Sequence, residues 1–245
     1  SKISKSKIKV IKETINEFGM VYFRDQKLTS KEYLNFAKKI GRPALYQRLK
    51  GLSKKYPEIT VVQRKKKDKG PSFGEQFHTD SSYTKKPPTF TMLLSKLVPK
   101  KGLANTEFSS QYLAYENLPK KYKSQINKLK GTFSSKGPIA ITTVERVKEK
   151  GKLSKELKAN HKLVRNIGEK KSIYFSAGHF IGFGKNKNNK LKELESFLKK
   201  HQIKKKFQFS LEWEKNQLAI WDNRSMLHQS TPFKCNRIMH RITIQ

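Results

Sequence analysis

Residues 217–245 read QLAIWDNRSMLHQSTPFKCNRIMHRITIQ. The opening apolar run is typical of a buried strand, and residues 240–245 alternate as a second strand. Between them, His228 is expected just after a strand end. Arg237 and Arg241 stand four residues apart where the chain enters the last strand. This stretch therefore predicts a β-rich core that brings His228, Arg237 and Arg241 together at one end of the core.

Upstream of this stretch, strand-like and helix-like segments are mixed. Apolar and β-branched runs predict strands at 20–23, 59–63, 90–98, 171–176 and 206–213. Amphipathic spacing and capping signals predict helices at 7–18, from Thr29 or Ser30 to Gly41, at 109–117, at about 120–129 and at 191–201. The order is helices first, then mostly strands with helical insertions, which predicts a mainly β barrel or sandwich core flanked by α-helices. A length of 245 residues fits one domain spanning residues 1–245.

The chain is strongly basic, with 55 Lys and Arg against 19 Asp and Glu and a net charge of +36. Such a balance raises nucleic acid or an anionic membrane as a partner. The basic residues are 46 Lys and only 9 Arg, however, and they are spread over every segment. Because Arg is the residue that reads bases and binds phosphate with two prongs, no nucleic-acid partner is expected.

Cysteine content and hydropathy bear on the cellular location of the chain. The single cysteine, Cys235, excludes an internal disulfide and any Cys-x-x-Cys metal or redox site. No apolar run approaches eighteen residues, so no membrane-spanning segment is expected. A cytoplasmic location is the simplest expectation.

The triplet His78-Thr79-Asp80 is the first candidate site. In a strand, residues i and i+2 share a face, so the imidazole and the carboxylate could reach one metal ion. With His228 as a third ligand they would form a facial set of two histidines and one carboxylate, as in non-haem iron(II) oxygenases. Zinc hydrolases also use two histidines and a carboxylate, so these residues alone leave the metal open.

The two C-terminal arginines favour a dicarboxylate cosubstrate. An acid that chelates iron at one end needs a cation for its far carboxylate, and a buried guanidinium provides two charge-assisted hydrogen bonds. Arg237, nine residues after His228, is the candidate, with a structural salt bridge as the alternative. Arg241 would face the same cavity and bind an anionic group of the substrate, unless it only pairs with a nearby carboxylate to brace the last strand.

Several segments together resemble the TauD/TfdA family of 2-oxoglutarate dioxygenases, and the similarity covers most of the chain. The resembling segments are GMVYFRDQKLTSKEYLNFAKKIG (19–41), FHTDSSYTKKPPTFTMLLSKLVP (77–99), NTEFSSQYLAYENLP (105–119), HKLVRNIGEKKSIYFSAGH (161–179) and LAIWDNRSMLHQSTPFKCNRIMHRITI (218–244). The resemblance implies a jelly-roll core, also called a double-stranded β-helix.

The same resemblance implies a ligand set and a reaction. His78, Asp80 and His228 would bind Fe(II), and Thr106 with Arg237 would bind a carboxylate of 2-oxoglutarate. With O2, such an enzyme hydroxylates an unactivated C–H bond and releases succinate and CO2. Retention of the carboxylate at Asp80 argues for hydroxylation, because halogenating enzymes of this chemistry lack it.

The prime substrate is expected to be a small anion. Tyr46 and His179 lie in segments that line the pocket in the family, and Arg241 suggests a carboxylate or sulfonate. The sequence departs from taurine enzymes at Gly74, where they carry an Asn, and at Phe77, where the family has Trp. The stretch between His228 and Arg237 is also two residues shorter than in members of the family. Taurine is therefore not the expected substrate.

Two other classes of function stay open at this point. The charge suggests a nucleic-acid-binding protein, and the fold could serve as a non-catalytic jelly-roll binding module. Retention of three metal ligands and two arginines argues against the module, and evenly spread lysines argue against nucleic acid. A homo-oligomer is possible.

Overall fold

The computed structural model describes residues 3–46, 49–142, 155–184 and 189–245. Its strands, in chain order, are β1 (Met20–Phe23), β2 (Pro43–Ala44), β3 (Gly51–Ser53), β4 (Tyr56–Arg64), β5 (Phe90–Leu97), β6 (Thr106–Ser110), β7 (Lys130–Ser134), β8 (Lys158–Lys162), β9 (Val164–Ile167), β10 (Lys170–Ile173), β11 (Phe180–Gly182), β12 (Gln208–Leu211), β13 (Leu218–Asp222), β14 (Met226–Ser230) and β15 (Arg237–Ile244). Its α-helices are α1 (Lys5–Phe18), α2 (Ser30–Ile40), α3 (Gln111–Glu116), α4 (Lys120–Lys128) and α5 (Asn189–His201), with 3-10 turns at Pro138–Thr142 and Lys205–Phe207.

The largest sheet has the strand order β1-β13-β5-β15-β4-β3, and β2 pairs along β15. Strand β15 lies in its interior and is antiparallel to β5 on one side and to β4 on the other. Ile242 of β15 stands opposite Met92 of β5. Because β15 also carries Arg237 and Arg241, both arginines are anchored on a strand that is paired on both sides.

A smaller sheet, β12-β6-β14, packs over one face of the large sheet. The apolar interior between the two sheets takes residues from both of them: Leu93, Phe108, Leu211, Trp213, Ala219, Trp221, Met226 and Met239. Two antiparallel sheets enclosing one interior are the jelly-roll arrangement, so the predicted mainly β fold is confirmed. The single-domain boundary at residues 1–245 stays a prediction.

Helices α1 and α2 cover the other face of the large sheet. Helix α2 begins with a capping box, in which Thr29 accepts from the Glu32 backbone and the Glu32 carboxylate accepts from the Thr29 backbone. Its apolar side buries Tyr33 and Ile40 against the sheet, together with Ile15 of α1. The Tyr33 hydroxyl donates to the His240 carbonyl at 3.1 Å, which joins α2 to the central strand.

A third layer forms around a separate apolar cluster, built by α3–α5 and strands β7, β9, β10 and β11. It contains Phe133, Leu163, Phe175 and Leu198, all fully buried. This layer places His179 beside the gap between the two sheets. A 3-10 turn follows β7 at Pro138–Thr142. Residues 143–154 and 185–188 lie outside the described residues.

Three local predictions were wrong. His228 lies inside β14 and not beyond a strand end, because residues 226–230 pair with β6. His78 forms an isolated bridge, so the expected strand there is a single residue long, and Asp80 lies in a turn. The strand expected at 171–176 covers only Lys170–Ile173. The hydrophobic pattern of a sequence identifies apolar segments. The residue at which a strand ends depends on where the neighbouring strand stops offering hydrogen-bond partners.

No helix in the described ranges is long and apolar enough to cross a membrane.

We predict that Ile242→Ala lowers the free energy of unfolding by about 2–5 kcal/mol, because Ile242 is 0% exposed in the central strand and its truncation leaves a cavity. Val10→Ala, at a position 60% exposed on α1, is the matched control and should change it by less than about 0.5 kcal/mol. Urea titration measures both changes. Equal effects of the two substitutions would contradict this packing.

Candidate metal centre

His78 and His228 are held side by side by their own backbones. The His78 N–H donates to the His228 carbonyl at 3.0 Å, and the His228 N–H donates to the His78 carbonyl at 2.9 Å. The two imidazole centroids are 4.3 Å apart. Residues 150 positions apart in the chain are thereby fixed as neighbours in the gap between the sheets.

Asp80 completes a buried group of three possible metal ligands. Its Oδ1 lies 3.7 Å from His78 Nε2 and 3.8 Å from His228 Nε2. One ligand atom from each residue falls within 4.8 Å of the others, and all three side chains are buried. His78 Nδ1 lies 2.7 Å from the Gln76 carbonyl and donates to it, which leaves the Nε2 lone pair facing the other two ligands. The donor set fits a divalent transition metal.

The protonation states also suit metal binding. Burial lowers the pKa of His228 well below its usual value, and the neighbouring His78 adds to the effect. Burial lowers the pKa of His78 too, although Asp80 opposes it. Burial alone would raise the pKa of Asp80, but Arg241 and the two histidines outweigh it and hold that pKa below its usual range. Two neutral imidazoles and a carboxylate are the protonation states that bind a metal.

Thr91 and Asn223 orient the carboxylate of Asp80, and the sequence patterns did not single out either residue. The Thr91 hydroxyl donates to Asp80 Oδ2 at 2.6 Å, and the Asn223 amide donates to Thr91 Oγ1 at 2.9 Å. Asn223 Oδ1 accepts from the Asp80 backbone at 3.4 Å and from Trp221 Nε1 at 3.2 Å. Oδ1 of Asp80 is therefore left to face the histidines. The polar Thr inside the apolar run FTMLL was the available signal.

Arg237 lies at the other end of the same cavity. It is 7% exposed, and its guanidinium donates to Ser230 Oγ at 3.2 Å and to Thr106 Oγ1 at 3.5 Å. Its Nε has no hydrogen-bond partner among the described residues. Burial lowers the pKa of Arg237 to about 10, and the described residues place no carboxylate in an ion pair with it. A buried cation without an anion is a site prepared for an anionic ligand.

Trp213 sets the direction of the Thr106 hydroxyl. Its Nε1 donates to Thr106 Oγ1 at 2.9 Å. Because this oxygen already accepts from the indole and from Arg237, its own proton is left to point elsewhere. Thr106, Arg237, Asp80 and both histidines line one cavity, so Thr106 can donate to a ligand there. Trp213 was not expected from the sequence.

Arg241 pairs with the metal-ligand carboxylate. Its Nη2 lies 3.0 Å from Asp80 Oδ1, and its guanidinium carbon lies 4.5 Å from the Tyr46 ring centroid. Burial opposes its charge, but Asp80 raises the pKa of Arg241, so it stays a cation. The ion pair with a nearby carboxylate, stated above as the alternative role, is thus present. Within the described chain, Arg241 Nη1 has no hydrogen-bond partner.

A second pocket adjoins the candidate metal ligands His78 and Asp80. It contains both predicted substrate residues, Tyr46 and His179, and is further lined by Phe73, Gly74, His78, Asp80, Ser81, Tyr83, Ile139 and Thr142. His179 Nδ1 lies 3.0 Å from Ser82 Oγ, and its ring meets the Tyr83 ring edge-on at 5.0 Å. The structure therefore brings every predicted site residue to one of two pockets that share His78 and Asp80.

Gly74 explains one departure from the taurine enzymes. Its φ is +75°, a value that favours glycine, and a Cβ there would lie 3.1 Å from His78 Cε1. The Gly74 carbonyl accepts from the Ser230 backbone at 2.9 Å. A Cβ at this position would crowd the imidazole of His78, and any residue with a side chain would be strained at this φ.

Comparisons with known proteins agree with this geometry. The family model described as "Taurine catabolism dioxygenase TauD, TfdA family" matches residues 1–243. The α-ketoglutarate-dependent 2,4-dichlorophenoxyacetate dioxygenase of Cupriavidus pinatubonensis is 24% identical over 245 residues, covering 93% of this chain and 84% of the relative. α-Ketoglutarate is another name for 2-oxoglutarate.

Solved structures share the fold. A taurine dioxygenase from Burkholderia xenovorans superposes with a TM-score of 0.81 at 22% identity, covering 100% of this chain and 81% of the other. AAD-2, in complex with Mn(II) and N-oxalylglycine, superposes with a TM-score of 0.79 at 22% identity, covering 100% of this chain and 89% of the other.

We predict that Thr91→Val weakens metal binding about tenfold, because it removes the hydrogen bond that orients Asp80 and leaves Oδ2 without that donor. Titration calorimetry with Mn(II) measures the change. Thr14→Val, on helix α1, removes a threonine hydroxyl that bonds only to its own helix and should leave the affinity unchanged. An unchanged affinity for Thr91→Val would show that Asp80 needs no such support.

Proposed function

Because the chain belongs to the TauD/TfdA family, we propose that it hydroxylates an unactivated C–H bond of a small anionic substrate. The chain is an α-ketoglutarate-dependent dioxygenase that uses Fe(II), 2-oxoglutarate and O2. In the proposed reaction, one oxygen atom of O2 enters the C–H bond as a hydroxyl. The other enters succinate as 2-oxoglutarate loses CO2.

The proposal rests on one observation above all. Three possible metal ligands share a single cavity with a buried arginine that has no carboxylate partner in the described part of the chain. We infer that His78, Asp80 and His228 would hold Fe(II), because two imidazoles and one carboxylate are the donor set of non-haem iron(II) oxygenases. Bound iron supplies the oxidising chemistry with 2-oxoglutarate and O2. The residues that line the cavity would bind and orient the organic substrates.

Arg237 and Thr106 form the proposed subsite for the far carboxylate of 2-oxoglutarate. The guanidinium offers the unpartnered Nε beside N–H groups that now donate weakly at 3.2 and 3.5 Å. The Thr106 hydroxyl adds a donor, since Trp213 occupies its oxygen. A carboxylate bound there would pair with the buried guanidinium of Arg237. Its binding would offset the free-energy cost of burying a cation with an unsatisfied donor.

The second pocket is the proposed site of the prime substrate. Tyr46 and His179 line this pocket. Arg241 lines the adjoining cavity and lies against the Tyr46 ring, and its Nη1 is the proposed contact to the anion while Nη2 pairs with Asp80. The names of the relatives specify a dichlorophenoxyacetate and taurine, which carry a carboxylate and a sulfonate. The net charge of +36 would draw such anions from solution. A cytoplasmic location and a homo-oligomer stay predictions.

The two alternative functions are not favoured. A nucleic-acid-binding protein or a non-catalytic module would have no need of three buried metal ligands whose pKa values suit metal binding. Neither alternative accounts for the buried Nε of Arg237, which has no hydrogen-bond partner among the described residues.

We predict that Fe(II)-loaded protein releases succinate from 2-oxoglutarate faster when the right small carboxylate or sulfonate is added. A screen of such anions, scored by succinate release under air, finds the substrate class. Asp80→Ala should reduce the stimulated rate to background, because it removes a ligand of the metal. A best substrate that is neutral or cationic, or full activity in Asp80→Ala, would contradict the proposal.

We predict that Arg237→Lys raises the KM for 2-oxoglutarate roughly tenfold or more, because an ammonium cannot reproduce the two-pronged contact. The KM for the prime substrate should move little. Steady-state kinetics with each compound varied in turn separates the two constants. If both constants rise together, or only that of the prime substrate rises, Arg237 does not bind the cosubstrate.

A further inference from the structure

Two buried arginines face each other at the cosubstrate end of the site. Arg64 of β4 is the register partner of Arg237 of β15, and the two residues are 4% and 7% exposed. Like charges directly opposite each other destabilise a strand pair, and burial without an anion adds to that cost. Nε of both arginines and Nη1 of Arg64 have no hydrogen-bond partner in the part of the chain that the structure describes.

One aromatic ring contacts both guanidiniums. The guanidinium carbon of Arg237 lies 5.4 Å from the Phe233 ring centroid, and that of Arg64 lies 5.6 Å from the same centroid. A cation over the face of an aromatic ring is attracted by its quadrupole, most strongly where water is excluded. Phe233 therefore offsets part of the repulsion. Because Trp213 also lies against Arg237, at 5.8 Å, aromatic rings limit the positions that Arg237 can take.

Arg64 in turn is tied to the backbone of the following loop. Its Nη2 donates to the Asp68 carbonyl at 3.2 Å and to the Gly70 carbonyl at 3.0 Å. The Lys66 N–H donates to Asn236 Oδ1 at 2.9 Å, which joins this loop to the β14–β15 connection that carries Phe233. The two loops thus form one braced wall beside Arg237. The sequence had marked this connection only as shorter than in the relatives.

We propose that Phe233 and Arg64 are positioning residues that set the preference for a 2-oxo acid with a second carboxylate. Phe233 fixes the guanidinium of Arg237 for that carboxylate, and Arg64 holds Phe233 in place and adds a second positive charge nearby. The inference rests on the proposed function, because it takes the far carboxylate of 2-oxoglutarate to bind Arg237.

The test measures binding to the Mn(II)-loaded protein, without turnover. Trp213 and Trp221 are the chain's two tryptophans and both lie at the site, so their fluorescence can report ligand binding. Two ligands are compared: 2-oxoglutarate, and 2-oxopentanoate, which lacks the far carboxylate. The variants are Phe233→Leu, Phe233→Tyr and Arg64→Gln, with Lys65→Gln as the control that removes an exposed charge from the same loop.

Phe233→Leu should raise the Kd of 2-oxoglutarate roughly tenfold and leave that of 2-oxopentanoate unchanged, since Leu keeps apolar bulk but has no ring face. Phe233→Tyr should keep wild-type affinity. Arg64→Gln should raise the Kd of 2-oxoglutarate about threefold, and Lys65→Gln should not change it. A change in Kd for 2-oxoglutarate but not for 2-oxopentanoate indicates an effect on binding of the far carboxylate, because the two ligands differ in that group.

Equal losses for both ligands in Phe233→Leu would overturn the inference, because they indicate a general structural role. Unchanged affinity for both ligands would overturn it as well. A wild-type protein that binds 2-oxoglutarate no better than 2-oxopentanoate would instead refute the proposed carboxylate subsite at Arg237, and the positioning role with it. Thermal unfolding of each variant confirms that the compared proteins are folded.

Discussion

The site depends on the pair of backbone hydrogen bonds that joins His78 to His228. These bonds, at 3.0 and 2.9 Å, connect a short extended segment before the Asp80 turn to strand β14 of the smaller sheet. Without these bonds, His78 and Asp80 would lie on a loop and His228 on a strand. No backbone contact would then fix the distance between the two imidazole rings. The jelly roll supplies a rigid second sheet on which this contact can be made.

Charge decides how the rest of the cavity is arranged. Asp80 is a single carboxylate with a cation, Arg241, already 3.0 Å away, whereas Arg237 and Arg64 have no carboxylate partner in the described structure. Buried positive charge therefore exceeds buried negative charge at this site before anything binds. A divalent metal adds more positive charge, so the loaded site favours dianionic 2-oxoglutarate and an anionic substrate. The chemistry of the ligands follows from this imbalance.

Sequence patterns predicted the chemistry of the site better than its local geometry. The types and spacing of His78, Asp80 and His228 indicated a metal site but left the metal open, and Arg237 favoured a dicarboxylate with a salt bridge as the alternative. The family resemblance was needed to imply Fe(II) and 2-oxoglutarate. The expected strand through His78 was wrong, since only the backbone of β14 provides a pairing partner there. Strand β14 itself was missed, because a segment read as polar gave no alternating pattern.

The residues that position the candidate site residues were the hardest to predict from the sequence. Asn223 contacts Asp80 across 143 positions, and Trp213 contacts Thr106 across 107 positions. Thr91 contacts Asp80 across 11 positions from the next strand, and Phe233 contacts Arg237 from the preceding loop, and no local pattern encodes these contacts. The Arg241 contact with Asp80 was foreseen only as a general alternative, without its partner. Long-range packing sets these pairs, and it becomes visible only once the strands are in register.

The most direct measurement of the central claim is an anaerobic absorption spectrum. Fe(II) and 2-oxoglutarate, added together to the purified protein, should produce a weak visible charge-transfer band that neither compound produces alone. The band should be lost in His228→Ala. A wild-type protein that binds Fe(II) but shows no band on addition of 2-oxoglutarate would contradict the claim that this cavity holds both.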